Sequence, residues 1–316
     1  MKPILVTGAT GFVSQALCPL LESSGWTVRK AVRRALTGCI AVGDIGPDTD
    51  WRIALDGVTA VVHLAARVHV MRDAASDPLT EYRAVNCAGT ANLARQAAKA
   101  GVKRLVYLSS IKVNGEFTGV APFRAGDPPH PLDPYAISKW EAEQALLQIA
   151  GETGLEIVVL RPPLVYGPGV KANFLRLLSL IERGLPLPLG AVKNRRSLLY
   201  LGNLADAIRV SLTHPSAAGK TYLLSDGAAL STAELVRHLA AALGKTPKLI
   251  AVPPVLLKIA AHLTGKSAEA ARLLDSLEID GTAITRDLDW HPPYSTEQGL
   301  AVTASWYRAM KRKQPS

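Results

Sequence analysis

A glycine-rich turn near the amino terminus constrains most strongly how this chain can fold. The apolar run at residues 4–6 predicts a short buried strand, and the turn Gly8-Ala9-Thr10-Gly11 leads into a helical segment that stops at Gly25. Glycine at the first position permits the tight turn, and glycine at the second lets a ligand approach the backbone. Strand, glycine turn and helix in this order predict the first unit of a dinucleotide-binding α/β fold.

The rest of the first half alternates short apolar runs with helical stretches. Strands are predicted at residues 28–32, 40–42, 60–65, 104–109 and 156–160, and helices from about 78 to 99 and from 134 to about 152. Runs rich in Val, Ile and Leu without a polar face suit a parallel sheet that helices cover on both sides. The alternation predicts a doubly wound, Rossmann-type parallel sheet.

Regular alternation is lost after about Arg161, where prolines become frequent. We expect a dinucleotide-binding domain over residues 1–165, to which about 198–215 return with a helix at 203–213. A smaller, loop-rich substrate lobe is expected from about 166–197 and 216–310. Residues 311–316 are expected to form a frayed basic tail.

Charge and cysteine content limit the possible partners. The 316 residues include 36 Lys and Arg against 26 Asp and Glu, a net charge of +10. This excess suits nucleic acid, an anionic membrane surface or a small phosphorylated ligand. The basic residues are dispersed and no apolar run is long enough to span a membrane, so we expect neither nucleic acid nor a membrane span. Three scattered cysteines predict no metal site and a cytoplasmic location.

The expected cofactor site extends from the glycine turn to the ends of the next two strands. A pyrophosphate would lie on the helix N-terminus behind the turn, where Ser14 replaces the usual third glycine. The second strand ends in Arg33-Arg34 with no acid near, which suits the 2′-phosphate of NADP; an ordinary basic turn is the alternative. The sequence thus favours NADP(H) over NAD. Asp44, beside Ile45 after the third strand, could bond the adenine amino group.

The strongest catalytic signal is a tyrosine and a lysine four residues apart. Tyr135 and Lys139 begin a predicted helix, so their side chains share one face. We expect the lysine ammonium to stabilise the phenolate and lower the tyrosine pKa, so that the phenol acts as acid or base on a substrate hydroxyl or carbonyl. Ser110 follows the fifth strand at the carboxyl edge of the sheet, where it could hold the substrate oxygen. Without that serine, the pair would suit a solvated helix face.

The combined pattern resembles the extended short-chain dehydrogenase/reductases, in the branch of NAD(P)-dependent nucleotide-sugar epimerases, dehydratases and reductases. The matching motifs, in chain order, are Gly8-x-x-Gly11, His63-Leu64-Ala65-Ala66, Asn86, Ser110, Tyr135-x-x-x-Lys139 and Arg161-Pro162. The resemblance covers nearly the whole chain and implies a catalytic triad of Ser110, Tyr135 and Lys139, with Lys139 also bonding the nicotinamide ribose. The further residues that it places at the cofactor are Thr10, Phe12, Val13, Leu64, Ala65, Ala66, Asn86, Pro162 and Val165.

The resemblance also implies a site for a UDP-sugar or a similar nucleotide sugar. Residues 196–206 resemble the segment whose arginine grips the diphosphate, although Ser197 stands where relatives have Asp. The expected substrate contacts are Lys112, Asn173, Leu189, Arg196 and Arg272. Relatives of this branch commonly dimerise through a four-helix bundle, so a homodimer formed by the helix of Tyr135 and the helix before it is expected.

The favoured reaction is reduction. Asn114 and the string at 289–293 resemble bacterial O-antigen enzymes that use NADPH to reduce a UDP-4-keto-6-deoxy-N-acetylhexosamine at C4 in lipopolysaccharide biosynthesis. Ile111-Lys112 disfavour dehydration, since dehydratases usually carry an acid/base pair there. The alternative is 4-epimerisation of a UDP-hexose or UDP-N-acetylhexosamine with tightly bound NAD. A non-catalytic dinucleotide sensor is disfavoured by the intact tyrosine and lysine.

Overall fold

Seven parallel strands form the main sheet in a computed structural model that describes residues 3–68 and 77–313. The strand order is β3-β2-β1-β4-β5-β6-β9. The strands are β1 (Ile4–Thr7), β2 (Val28–Val32), β3 (Ile40–Ala41), β4 (Ala60–His63), β5 (Arg104–Leu108), β6 (Glu156–Arg161) and β9 (Thr221–Leu223). The expected doubly wound sheet is confirmed, and several predicted strands end one or two residues early.

The sheet buries both of its faces. Alternate residues of β1 point to opposite sides, so Ile4 and Val6 join one core and Leu5 joins the other. The first core is covered by α1 (Ser14–Ser23), α7 (Leu201–Thr213) and α11 (Thr282–Leu288). The second is covered by α2 (Arg52–Leu55), α4 (Gly89–Lys99) and α5 (Pro134–Thr153). This two-sided burial explains why the strands read as continuous apolar runs.

The helix expected over residues 78–99 is not continuous. It consists of α3 (Pro78–Tyr82), a π-helix (Arg83–Ala88) and α4. The wider turn of a π-helix produces no hydrophobic period of its own, so the sequence pattern concealed it. The π-helix is followed by Gly89, a position with no room for a side chain. A Cβ there would lie 2.6 Å from Ile45 Cγ2.

The second half contains more helix than the proline content suggested, and the expectation of a loop-rich lobe was wrong. Its elements are β7 (Leu164–Tyr166), α6 (Ala172–Glu182), β8 (Leu198–Tyr200), α8 (Thr232–Ala242), α9 (Pro254–Leu263), α10 (Ser267–Leu274) and α12 (Thr296–Lys313). Strands β7 and β8 pair in a separate parallel sheet. Proline is tolerated in the first turn of a helix, as Pro254 in α9 shows.

Two segments of the expected 216–310 lobe lie with the main sheet instead. Strand β9 extends the sheet beside β6, and α11 packs into the first core. Helix α12 continues to Lys313, so the basic tail begins as helix, and 314–316 lie outside the described residues. No helix within 3–68 or 77–313 is both long and apolar enough to cross a membrane.

A buried ion pair ties α5 to the sheet. Arg161, the last residue of β6, donates from Nε to Glu143 of α5 at 3.0 Å and from Nη1 to Asn114 Oδ1 at 2.9 Å. Ser109, directly after β5, donates its hydroxyl proton to Glu143. Each of these side chains is at least 96% buried. The position of α5 against β5 and β6 is therefore fixed by specific polar contacts as well as by apolar packing.

Two glutamates of α5 provide a matched test of this pair. We expect Glu143→Ala to lower the free energy of unfolding by about 3–5 kcal/mol, because the buried Arg161 charge loses its partner. Glu141→Ala removes the more exposed pair with Arg83 and should cost at most about 1 kcal/mol. Urea unfolding at neutral pH measures both, and equal losses would contradict the role given to the buried pair.

Candidate active site

The loops after β1 and β4 form a backbone cradle. Gly8 has φ +65°, and a Cβ built there would lie 3.0 Å from the Ala65 backbone. Gly11 N–H donates to the Gly8 carbonyl at 2.9 Å, and the buried Ser14 hydroxyl donates to the Gly11 carbonyl at 2.8 Å. Helix α1 begins behind this turn with no side-chain cap and no acid in its first turn. Its N-terminal N–H groups are therefore suited to an anion.

Thr7 and His63 hold the two loops together. The Thr7 hydroxyl lies 2.7 Å from His63 Nδ1 and accepts the N–H groups of Leu64 and Ala65 at 3.2 Å. Burial, with a contribution from the Lys139 charge, lowers the pKa of His63 to about 3, so the ring is neutral at physiological pH. The strand order reverses between β1 and β4, which is where open α/β sheets bind dinucleotides.

The residues expected at the adenosine ribose lie on the surface. Arg33 and Arg34 are exposed, and Arg33 Nη1 lies 3.5 Å from Asp44 Oδ1. The sequence has no acid directly after the second strand, but Asp44, in the loop after β3, places a carboxylate beside Arg33. This pairing partly offsets the positive charge on which the expectation of NADP rested.

Asn86, in the π-helix, connects the cradle to α5. Its Oδ1 accepts the Arg67 N–H at 2.8 Å, and its Nδ2 donates to the Arg67 carbonyl and the Ser138 hydroxyl, both at 3.0 Å. Ser138 precedes Lys139, so Asn86 fixes the loop after β4 relative to the candidate catalytic helix. Short π-helices are frequent at functional sites, and here the π-helix contains Asn86, the residue that makes this connection.

The three candidate catalytic residues come together at the carboxyl edge of the sheet. The Ser110 side chain interacts with Tyr135, and Lys139 Nζ lies 4.2 Å from the Tyr107 ring centroid. Burial raises the pKa of Tyr135 to about 12, with a further contribution from Asp133, so the expected lowering is wrong for this state of the protein. Burial also lowers the pKa of Lys139 to about 7, which weakens the cation that was expected to stabilise the phenolate.

Lys112 is engaged by acids beside the triad. It contacts Asp133 and donates to Glu116 at 2.7 Å. Asp133 also caps α5, since its Oδ1 accepts the Ala136 N–H at 2.7 Å. Lys112 was expected to bind substrate directly; the structure shows it opposing a carboxylate that raises the pKa of Tyr135. Sequence reasoning missed Asp133, although an acid before Pro134 is a recognisable N-cap signal.

Two residues that suggested a reductase have packing roles. Asn114 is buried, accepts from Arg161 and donates to the Arg124 carbonyl at 3.0 Å. Trp290 lies in the first core and donates from Nε1 to Asp206 at 3.0 Å. Both side chains therefore contribute to packing and hydrogen bonding within the fold.

The predicted substrate residues are only partly assembled. Arg196 donates from Nη1 to the Asp275 carbonyl at 2.9 Å, and burial, together with the nearby Arg272, lowers its pKa. The charge of Arg272 thus acts on Arg196, and two guanidinium groups of one region would suit a diphosphate. Asn173 is exposed at the start of α6. The Leu189 side chain is buried in the core of the second half, a separate apolar cluster to which α6, α8 and α12 contribute.

The remaining predicted cofactor contacts lie in the segments after β1, β4 and β6. Thr10 is exposed, Val13 precedes α1, and Leu64 and Ala66 follow β4. Phe12 packs against the core of the second half. The Pro162 carbonyl accepts the Ile111 N–H at 3.0 Å, which joins the segment after β6 to the segment after Ser110, and Val165 packs against the first core.

A dinucleotide-binding cradle beside a cluster of Ser110, Tyr135 and Lys139 is typical of α/β enzymes of the oxidoreductase type. The model of the NAD dependent epimerase/dehydratase family matches residues 4–225. The UDP-glucose 4-epimerase of Vibrio cholerae is 46% identical over 310 residues, covering 96% of this chain and 94% of that protein. An Escherichia coli O157:H7 relative, N-acetyl-alpha-D-glucosaminyl-diphospho-ditrans,octacis-undecaprenol 4-epimerase, is 28% identical over 322 residues, covering 96% and 94%.

A solved structure has a similar fold over nearly the full length of this chain. MoeE5 in complex with UDP-glucose and NAD superimposes with a TM-score of 0.77 at 27% identity, covering 98% of this chain and 99% of that one. The chain belongs to the NAD dependent epimerase/dehydratase family. It is an enzyme of the extended short-chain dehydrogenase/reductase type, with a nucleotide-sugar epimerase/dehydratase-like function.

The cradle predicts a sharp effect of a single methyl group. Gly8→Ala should weaken NAD binding about tenfold or more, because the left-handed φ and the 3.0 Å approach to Ala65 both disfavour a Cβ. Gly151→Ala is the control, since Gly151 is an exposed position of α5 with open space around it. Fluorescence titration measures both, and unchanged affinity in Gly8→Ala would show that the cofactor does not use this turn.

The charges around Tyr135 predict opposite shifts in two variants. Asp133→Asn keeps the helix cap but removes the negative charge, so the pKa of Tyr135 should fall and its phenolate should appear at lower pH. Lys112→Met removes a cation that contacts Asp133 and should raise the same pKa. Ultraviolet difference titration, with Tyr135→Phe as background and the α3 cap variant Asp77→Asn as control, tests the account; shifts of the same sign in both variants would refute it.

Proposed function

We propose that this enzyme is a UDP-hexose or UDP-N-acetylhexosamine 4-epimerase that works with tightly bound NAD. The observation that carries the proposal is the 46% identity to the Vibrio cholerae UDP-glucose 4-epimerase over nearly the full length of both chains. The second epimerase among the relatives and the UDP-glucose and NAD bound to MoeE5 support it. The expected O-antigen 4-keto reductase has less support, because these relatives are named as 4-epimerases.

The cofactor proposed is NAD rather than the NADP that the sequence favoured. The glycine turn and the N-terminus of α1 suit its pyrophosphate, and the close approach of Gly8 to Ala65 packs the loop after β1 against the loop after β4. Asp44 opposes Arg33, so this edge does not form a dedicated phosphate site. When bound, the nicotinamide would supply a hydride acceptor and donor.

The side chains of the site would handle the proton and hold the sugar. Tyr135 Oη would exchange the proton of the C4 hydroxyl, and Ser110, which interacts with Tyr135, would position that oxygen. Lys139 is the cation placed to stabilise the phenolate, and at pH near 7 it is poised between its charged and neutral forms. Arg196 and Arg272 would bind the diphosphate, which leaves the sugar free to present either face.

The proposed reaction predicts turnover without added cofactor. Purified enzyme given UDP-galactose should form UDP-glucose, and comparison with UDP-N-acetylglucosamine establishes which sugar it prefers. Tyr135→Phe should lower kcat by roughly 10²–10⁴-fold, since general acid–base catalysis contributes about that much. Tyr294→Phe, on an exposed tyrosine, is the control. Consumption of NADPH with a UDP-4-keto-6-deoxy-N-acetylhexosamine, and no epimerisation, would instead establish the reductase.

The assembly and location expected from the sequence are carried forward as proposals. A homodimer would form through α4 and α5, and Leu147 of α5 is 48% exposed in the single chain. Three free cysteines support a reducing, cytoplasmic environment.

A further inference from the structure

Helix α9 has apolar residues on two opposite faces. Successive residues are about 100° apart around a helix, so Pro254, Leu257 and Ala261 share one face. All three are half-buried, and Leu257 packs against the core of the second half. The opposite face consists of aliphatic residues that are 66%, 55%, 52% and 80% exposed, namely Val255, Leu256, Ile259 and Leu263. A helix that is apolar on both faces is usually covered on both.

The segment of the chain that contains α9 carries a net positive charge. Residues 245–275 contain two acids, Glu269 and Asp275, and five cations, which are Lys245, Lys248, Lys258, Lys266 and Arg272. Lys258 and His262 lie between the inner and outer faces of α9, both exposed. An exposed aliphatic face with flanking cations is typical of a helix that lies in the interfacial region of an anionic bilayer.

Other occupants fit the outer face less well. A second copy of the chain, related by a two-fold axis, would bring two like-charged segments together. The face contains aliphatic side chains alone, whereas the energetic centres of protein interfaces are enriched in Trp, Tyr and Arg. The ten residues of α9 span about 15 Å, half of the hydrocarbon thickness, so this helix could lie on a bilayer but could not cross it.

We propose that the outer face of α9 docks the enzyme on anionic phospholipid bilayers. The docking face is connected to the candidate diphosphate site through Asp275, directly after α10. Its carboxylate accepts Lys258 Nζ of α9 at 2.7 Å, and its carbonyl accepts Arg196 Nη1 at 2.9 Å. Docking would therefore hold Arg196 and Arg272 near the membrane surface. The proposal does not depend on which nucleotide sugar the enzyme uses.

Vesicle co-sedimentation of the full chain tests the docking face. Wild-type protein should bind vesicles of equal parts phosphatidylethanolamine and phosphatidylglycerol, more weakly at high salt, and should not bind pure phosphatidylcholine. The double variant Leu256→Gln, Ile259→Gln should bind roughly tenfold more weakly, because it loses apolar contact with the acyl chains. Ile53→Gln, which replaces an isoleucine that is 77% exposed on α2, should bind like wild type.

The alternative outcomes are distinct. Absence of binding to the anionic vesicles, or equal binding by wild type and the double variant, would overturn the proposal. A wild-type dimer that the double variant converts to monomer, measured by light scattering, would assign the face to a second copy and overturn it as well. Circular dichroism and unchanged NAD binding confirm that the double variant is folded. Protection of α9 amides from hydrogen exchange by the anionic vesicles, and not by phosphatidylcholine, would support docking independently.

Discussion

The Arg161–Glu143 ion pair is the interaction on which the geometry of the site depends. It joins the end of β6 to the middle of α5, and through Ser109 and Asn114 it also fixes the segments on either side of Ser110. Burying two charges is costly, and apolar packing of equal volume could hold the elements as firmly. The pair instead selects one arrangement of these elements, because both charges are satisfied only when every hydrogen-bond partner is in place.

The electrostatics of the unliganded site follow from the same burial. Burial lowers the pKa of Lys139 to about 7, and the charge of Glu143, one helical turn further along α5, opposes this shift. Tyr135 is kept in its protonated form by burial and by Asp133. The unliganded protein thus keeps Tyr135 protonated and Lys139 divided between its charged and neutral forms. Charged groups that enter the cleft would shift these two protonation equilibria.

Much of this organisation was predictable from the sequence because it depends on local patterns. The apolar runs of β1 and β4, the Gly8 turn and the spacing of Tyr135 and Lys139 predicted the sheet and suggested where the site would form. The π-helix, the Asp44–Arg33 pair and the role of Asn114 could not be predicted, since each depends on contacts between residues distant in the chain or on a backbone turn without its own period. The expected lowering of the Tyr135 pKa by Lys139 was wrong, because the spacing of two residues does not indicate how deeply they are buried.

The central claim is that one cleft both removes and returns the hydrogen at C4 of a nucleotide sugar. The most direct measurement is the fate of the label in UDP-galactose deuterated at C4, incubated with the purified enzyme alone and analysed by mass spectrometry and NMR. The account predicts UDP-glucose that retains deuterium at C4. UDP-glucose with hydrogen at C4, or no conversion at all, would contradict it.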